Sequence, residues 1–212
     1  MPRVATHGIE LAVESFGRES DPALPRVMGL GAQMILWDEA FCEALAARGF
    51  RVIRFDNRDV GLSTRLTSAG MPNVMAAMAA AATGQPVPAA YTLNDMADDT
   101  AGLLDALGIA AAHVVGASMG GMIAQTLAIR DPKRVRTLAS GNRKAALANV
   151  RIPALVIHGD ADPLVPIAGG RDTAEAIPGC ELLVIEGMGH DLPPRAWPGS
   201  VDAIAKHTAR AA

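Results

Sequence analysis

Residues 113–121, which read HVVGASMGG, decide the fold of this chain. A short β-branched run opens the stretch, a run with helical spacing of apolar residues follows it, and the pattern G-x-S-x-G lies between them. A strand that turns directly into a helix needs glycine at 116 and 120, because side chains there would crowd the turn. Such a turn exposes the Ser118 hydroxyl at a helix N-terminus, where free N–H groups favour a developing oxyanion. The stretch therefore predicts a nucleophilic serine.

Strands and helices alternate along the rest of the chain. This alternation predicts the α/β class: a mostly parallel twisted sheet, with helices on both faces and ligand sites at the carboxyl ends of its strands. The predicted strands are Val4–Thr6, Ile9–Ser15, Leu24–Met28, Arg51–Asp56, His113–Ala117, Val135–Ala139, Ala154–Gly159 and Glu181–Ile185. The predicted helices are Trp37–Arg48, Leu93–Leu107, Met119–Arg130, Ala145–Asn149, Gly169–Ile177 and Ala203–Arg210.

A nucleophilic hydroxyl needs a base, and the base needs an acid that orients it. His190 follows the last predicted strand, and Asp160 and Asp162 follow the strand before it. All three would lie beside Ser118 at the carboxyl edge of the sheet. The resulting chain order, Ser then Asp then His, is the one found with this kind of turn. His158, at a strand end, is the rival base, although its position is more typical of a packed histidine. Spacing leaves both aspartates open as the acid.

Composition excludes several other classes of protein. The 19 basic and 22 acidic residues are scattered along the chain, so no basic patch for nucleic acid is expected. Two isolated cysteines, Cys42 and Cys180, form no metal or disulfide pattern. No apolar run is long enough to span a bilayer, and Met1 to Gly8 does not resemble a signal peptide. We expect a soluble cytoplasmic protein without metal or cofactor.

The sequence resembles the α/β-hydrolase superfamily over nearly its whole length. It is most similar to the esterase branch typified by aclacinomycin methylesterase, with proline iminopeptidases and cofactor-free haloperoxidases as looser relatives. The matching segments are 28–31, 55–63, 116–121, 159–166 and 187–193. The resemblance implies that the acid is Asp162, directly before the Pro-hydrophobic-Val-Pro run, and that the segment 55–63 is structural support near the site.

The resemblance also implies where the rest of the site lies. The backbone N–H groups of Leu30 and Met119 would form the oxyanion hole. The substrate pocket is expected at Gly29, Met34, Met122, Leu164 and Val165.

The chain departs from this family pattern at two places. The strand before Gly29 reads Leu24-Pro25-Arg26-Val27, where a run of branched aliphatic residues is usual. The helical cap that usually follows the strand at 135–139 has only residues 140–153 available to it, which is too short for several helices. We therefore expect a single core domain, residues 1–212, whose cap insertion around 140–151 is absent or minimal.

These features together predict a serine hydrolase that cleaves small-molecule carboxylic esters through an acyl-enzyme. The same triad also serves perhydrolysis, thioester hydrolysis and carbon–carbon bond hydrolysis, and the sequence does not separate these reactions. Two further alternatives are a ligand-binding protein with weak turnover and a truncated hydrolase scaffold. An uncovered apolar mouth at Leu30, Met34, Met119 and Met122 predicts low selectivity and a homodimer or higher oligomer.

Overall fold

A computed structural model describes residues 1–70, 73–85, 89–139 and 147–211. The described strands form one eight-stranded sheet in the order β1-β2-β4-β3-β5-β6-β7-β8. The strands β1 and β2 form an antiparallel hairpin, β2 is also antiparallel to β4, and every later pairing is parallel. The strand bounds are β1 Arg3–Thr6, β2 Ile9–Phe16, β3 Ala23–Val27, β4 Arg51–Phe55, β5 Ala112–Gly116, β6 Val135–Ala139, β7 Ala154–Gly159 and β8 Glu181–Ile185.

Helices cover both faces of this sheet. The helix bounds are α1 Glu39–Ala46, α2 Val74–Ala82, α3 Leu93–Ala106, α4 Met119–Arg130, α5 Ile167–Ala176 and α6 Trp197–Thr208. One apolar core lies under α3 and α4, and a second lies under α1 and α6. Thr92 and Asp95 form the capping box that starts α3, and Asp38 caps α1. Within the described residues, no helix combines the length and apolar character needed to cross a membrane.

The α/β class expected from the sequence is confirmed, and most predicted elements form within two residues of the expected bounds. Three segments differ. Helix α6 begins at Trp197, six positions before the predicted start, because Pro198 is tolerated in the first turn of a helix. Helix α2 was not predicted. Of the predicted helix Ala145–Asn149, residues 145 and 146 lie outside the described residues, and Leu147–Asn149 form a 3-10 turn.

The irregular sequence of β3 forms a fully buried central strand. The Pro22 carbonyl accepts from Arg51 of β4, and the Val27 carbonyl accepts from Ala117 beyond β5. Backbone groups alternate sides along a strand, so Pro25 faces β5, whose pairing with β3 starts only at Arg26. Because Pro25 has no N–H to donate, the pairing of β3 with β5 is shorter, but β3 remains a continuous strand.

Arg26 is fully buried on the same strand, beneath the second core. Its guanidinium carbon lies 3.7 Å from the centre of the Trp37 ring and 4.3 Å from that of Phe41. Its Nη1 donates to the Cys42 sulfur at 3.1 Å. Burial lowers the pKa of Arg26 to about 10, so the side chain remains a cation at neutral pH, packed against aromatic faces that attract it. Aromatic packing thus accommodates an arginine where an aliphatic residue is usual.

Candidate active site

The turn between β5 and α4 has the strained backbone that its sequence predicts. Ser118 has φ 53° and ψ −123°, in the left-handed region that side chains rarely adopt. A Cβ on Gly116 would lie 2.3 Å from the Gly120 carbonyl oxygen, and a Cβ on Gly120 would lie 2.1 Å from the Val27 carbonyl oxygen. Both glycines are therefore required by close backbone approach. The turn leaves Ser118 exposed at the N-terminus of α4.

The loop after β3 lies directly against this serine. A Cβ on Gly29 would lie 3.1 Å from the Ser118 Cβ and 3.6 Å from its Oγ. Leu30 follows, with 81% of its surface exposed. Met119 is the first residue of α4, and the first N–H groups of a helix have no partner within it. The predicted oxyanion donors Leu30 and Met119 thus belong to two segments that meet at Ser118.

Asp162 and His190 are in direct contact. His190 Nδ1 lies 2.6 Å from Asp162 Oδ2, across the loops that follow β7 and β8. Because the carboxylate only accepts, Nδ1 carries the proton and Nε2 is left with a lone pair. The other carboxylate oxygen, Oδ1, accepts from the backbone N–H groups of Leu164 at 2.8 Å and Val165 at 2.9 Å. Asp162 therefore fixes both the tautomer of the imidazole and its own loop.

The hydrogen bonds of Asp162 also set its charge. Burial acts to raise the pKa of this carboxyl, but the bonds from Val165, His190 and Leu164 outweigh burial and hold the pKa below its ordinary value. Asp162 is therefore ionised at neutral pH and able to stabilise an imidazolium. Of the described residues, none forms a hydrogen bond with Ser118 Oγ. Catalytic hydrogen bonds of free enzymes are often long and tighten only on the substrate.

Asp160, the rival acid, contacts a different group. Its Oδ1 accepts from the Gly187 N–H at 2.7 Å, and the neighbouring Ala161 N–H donates to the Met188 carbonyl at 3.1 Å. A Cβ on Gly159 would lie 2.0 Å from that same carbonyl. Asp160 thus holds the loop that carries His190, while Asp162 contacts the imidazole. The geometry agrees with the residue that the family resemblance favours.

His158, the rival base, is buried beside the acid. Its Nε2 lies 2.8 Å from the Val165 carbonyl oxygen, to which it must donate, and 3.8 Å from Asp162 Oδ2. A Cβ on Gly170 would lie 2.6 Å from the other ring nitrogen, so that side of the ring is closed by α5. The His158 imidazole therefore holds the loop that carries Asp162.

The predicted pocket residues differ in how far they are exposed. Gly29 faces Ser118, and Leu30 and Leu164, on the segments that follow β3 and β7, are 81% and 72% exposed. Val165 and Met122 are half-buried. The expectation that Met34 lines the mouth is wrong, because Met34 is 1% exposed and its N–H bonds inward to Asp56 Oδ1 at 2.7 Å. The hydrogen bond from the Met34 N–H to the buried Asp56 holds Met34 against the interior.

Sequence reasoning missed two features of this region. Ile35, Leu36 and Leu62 are large apolar side chains that are more than half exposed on loops at the same edge of the sheet. Asn57 donates to the Met28 carbonyl, just before the loop that carries Leu30. The segment 55–63 was recognised as support, but no spacing signal distinguishes Asn57 from its polar neighbours.

Comparison with known proteins agrees with this fold. The family model for the alpha/beta hydrolase fold matches residues 27–143, more than half of the chain, and the model described as TAP-like protein matches residues 133–205. The two matches overlap at 133–143, next to the position where the cap would be inserted.

Individual relatives are esterases and hydrolases. Rhodomycin D methylesterase DauP of Streptomyces sp. strain C5 is 35% identical over 130 residues, which cover 61% of this chain and 38% of that protein. A putative carbamate hydrolase, RutD of Pantoea ananatis, is 33% identical over 110 residues, which cover 52% of this chain and 32% of that protein. The chain thus spans less than half of the curated relatives it matches.

Solved structures show the same fold over nearly the whole chain. The enol-lactonase from Burkholderia xenovorans LB400 superposes with a TM-score of 0.80 at 20% identity, covering 98% of this chain and 100% of that chain. The eight-stranded sheet, the strained turn at Ser118 and the matched family model lead to one conclusion. This chain belongs to the α/β-hydrolase family.

Proposed function

We propose that this protein is a serine hydrolase that cleaves small carboxylic esters through an acyl-enzyme. The observation that carries the proposal is the 2.6 Å contact between Asp162 and His190, at the sheet edge where the strained turn exposes Ser118. Nucleophile, base and acid in this arrangement are the parts that acyl transfer requires. The methylesterase relative supports an ester as the substrate class.

The mechanism follows from the donors and acceptors of the site. Ser118 Oγ attacks the ester carbonyl carbon while His190 Nε2 takes its proton, and Asp162 stabilises the imidazolium through Nδ1–H. The N–H groups of Leu30 and Met119 bind the oxyanion of the tetrahedral intermediate. The intermediate collapses, His190 returns the proton to the leaving alcohol, and an ester bond to Ser118 remains. A water, deprotonated by His190, then attacks the acyl carbonyl carbon. Ser118 Oγ leaves and takes the proton back from His190, and the acid is released.

The open surroundings of Ser118 suggest how selective such an enzyme is. Ser118 is exposed, and Leu30, Leu62 and Leu164, on the segments that follow β3, β4 and β7, each have at least half of their surface exposed. A site that contacts mainly the reacting part of its substrate has little binding energy with which to distinguish one ester from another. We expect a high KM and a preference for short-chain activated esters. The same exposed apolar side chains favour a homodimer or higher oligomer, which light scattering would detect.

A panel of p-nitrophenyl esters from acetate to dodecanoate tests the reaction and its selectivity. The expected result is a burst of one p-nitrophenolate per chain followed by turnover, with a high KM and little dependence on acyl length. A fluorophosphonate should label Ser118 and add its mass once to the intact protein. If no ester or thioester gives turnover and the probe does not label Ser118, the protein is a binding protein or an inactive scaffold.

A further inference from the structure

The loop from Gly29 to Gln33 receives little support from its own contacts. Leu30, which we propose as an oxyanion donor, is 81% exposed, so side-chain packing does not fix its backbone. Within the loop, the Ala32 N–H donates to the Gly29 carbonyl at 3.3 Å, which is long for such a bond. An oxyanion donor needs a fixed direction, because it must be in place before the charge develops. The loop must therefore be held from outside.

Two adjacent side chains hold the loop at its two ends. Asn57 Nδ2 donates to the carbonyl of Met28, the residue before the loop, at 2.9 Å. Asp56 Oδ1 accepts from the N–H of Met34, the residue after it, at 2.7 Å. Asn57 and Asp56, which we call the clamp, both follow β4. This strand is parallel to β3, and the two strands are paired up to Arg26 and Arg54. The two strands therefore deliver the loop and its clamp to the same edge of the sheet.

The clamp is itself rigid. Asp56 and Asn57 are 2% and 3% exposed. Asp56 Oδ2 accepts from the Leu62 N–H at 2.9 Å, and a Cβ on Gly61 would lie 2.0 Å from that oxygen. Among the residues that the structure describes, no cation pairs with this carboxylate, so backbone N–H groups alone balance its charge.

Neighbouring contacts tie the clamp to the rest of the fold. Ser63 Oγ donates to the Asp56 carbonyl at 2.6 Å and accepts from the Ala12 N–H of β2 at 2.9 Å. Arg58, the next residue, bonds Asp99 of α3 at 2.6 Å. Movement of the clamp would break contacts with two other elements, which makes it a fixed reference for the loop.

We propose that Asn57 and Asp56 are positioning residues for catalysis, which set the direction of the Leu30 N–H by clamping both ends of the oxyanion loop. The carbonyl of Met28 and the N–H of Gly29 belong to one planar peptide, so the bond from Asn57 fixes how the chain enters the loop. This inference rests on the proposed serine hydrolase. Loss of the clamp weakens binding of the oxyanion and leaves binding of the ester unchanged, so kcat falls while KM stays.

The test replaces Asn57 and measures the oxyanion directly. Asn57→Leu removes the donor at similar volume, and Thr100→Val is the matched control, because it removes a buried hydrogen bond of α3 to the Met96 carbonyl. Complete loss of one oxyanion donor costs about 10²–10³ in kcat, so displacement of the loop should cost about ten- to hundredfold. KM should change less than about threefold. The control should keep both constants.

Paired substrates separate positioning from stability. A thionoester places sulfur where the oxyanion forms, and sulfur is a poor acceptor, so the wild-type ratio of ester to thionoester turnover reports the oxyanion hole. The ratio should fall about tenfold or more in Asn57→Leu, and a trifluoromethyl ketone, whose adduct carries an oxyanion, should bind correspondingly weaker. All rates are expressed per site that the fluorophosphonate labels, so a partly unfolded sample does not imitate the effect.

Two more variants keep the result decisive. Asn57→Asp keeps the size of the side chain but exchanges the donating NH2 group for an acidic oxygen, and it replaces Asn57→Leu if that variant does not fold. Gly61→Ala places a Cβ against the Asp56 carboxylate and displaces it. This variant should lower the same ratio although neither Asp56 nor Asn57 is replaced. An unchanged ratio in a folded Asn57 variant overturns the inference alone. Absence of ester turnover in the wild type overturns the proposed function instead.

Discussion

The two halves of the candidate site are held in different ways. In the acid–base half, Asp162 is bonded by Leu164 and Val165, two and three residues further along the same loop. In the nucleophile half, the loop beside Ser118 is bonded by Asn57 and Asp56, which are separated from Met28 and Met34 by 29 and 22 residues.

This difference has a physical origin. A loop of a few residues can satisfy a carboxylate with its own N–H groups, because backbone donors are spaced closely enough to converge on one oxygen. An exposed loop that carries an oxyanion donor has to leave that donor free, so its support comes from another strand. The loop of Asp162 should therefore tolerate distant changes that damage the loop of Leu30.

The largest expected effect is loss of the nucleophile. Ser118→Ala should lower kcat by about 10⁴ to 10⁶, because neither half can compensate for the missing hydroxyl. Steady-state hydrolysis of p-nitrophenyl acetate measures it. Ser200→Ala is the matched control, since Ser200 is buried in α6, and it should retain activity. More than a tenth of wild-type turnover in Ser118→Ala would assign the nucleophile elsewhere.

The next largest effect separates the two aspartates of the acid–base half. Asp162→Asn should lower kcat by about 10⁴, because an amide at this position favours the wrong tautomer of His190. Asp160→Asn keeps the oxygen that accepts from Gly187 and should lose less than about tenfold. Rates of both variants on one ester, at matched folded fraction, measure the difference. Equal losses would contradict the assignment of the acid.

A smaller effect is expected at His158. Glutamine places its amide nitrogen near the position of the imidazole Nε2, so His158→Gln should keep the bond to the Val165 carbonyl and most of the activity, within about tenfold. His158→Leu removes the bond and should lose more. A loss above about a thousandfold in both variants would instead make His158 the base, and would reverse the roles of the two histidines.

The smallest effect concerns stability, in the strand that carries the nucleophile turn. Burial, with help from the positive charges of Arg136 and His207, lowers the pKa of His113 to about 4. The neutral ring contacts the Thr137 hydroxyl and the edge of Phe50. The unfolded chain takes up a proton near pH 6.5, and the folded chain does so only near pH 4. The free energy of unfolding therefore decreases as the pH is lowered from about 6.5 to about 4.

Urea unfolding from pH 7 to pH 4.5 measures this loss. His113→Gln removes the titrating group. The slope of the unfolding free energy against pH should therefore decrease by at most about 1.4 kcal/mol per pH unit. His7→Asn, at an exposed turn where asparagine tolerates the positive φ, should leave the slope unchanged. If His113→Gln retains the full slope, the acid sensitivity arises elsewhere in the fold.

Much of the architecture could be predicted from the sequence. The bounds of α4, β6, β7 and β8 agree with the prediction because turn-forming or helix-breaking residues stand at or near the ends of each element. The hairpin of β1 and β2 follows from His7-Gly8, which both take positive φ. The start of α6 could not be predicted in this way, because Pro198 and Gly199 are typical of loops as well as of first helical turns.

The sequence by itself determined the turn at Ser118 and the candidates that follow the last strands, because glycine spacing and strand ends are local properties of the chain. It did not choose between Asp160 and Asp162, which are two residues apart and chemically alike. The tertiary structure placed one carboxylate on His190 and the other on Gly187. It also buried Met34, packed Arg26 against aromatic rings and joined Asn57 to Met28. Contacts between residues 11 to 29 positions apart depend on which strands are neighbours, and no local pattern encodes that order.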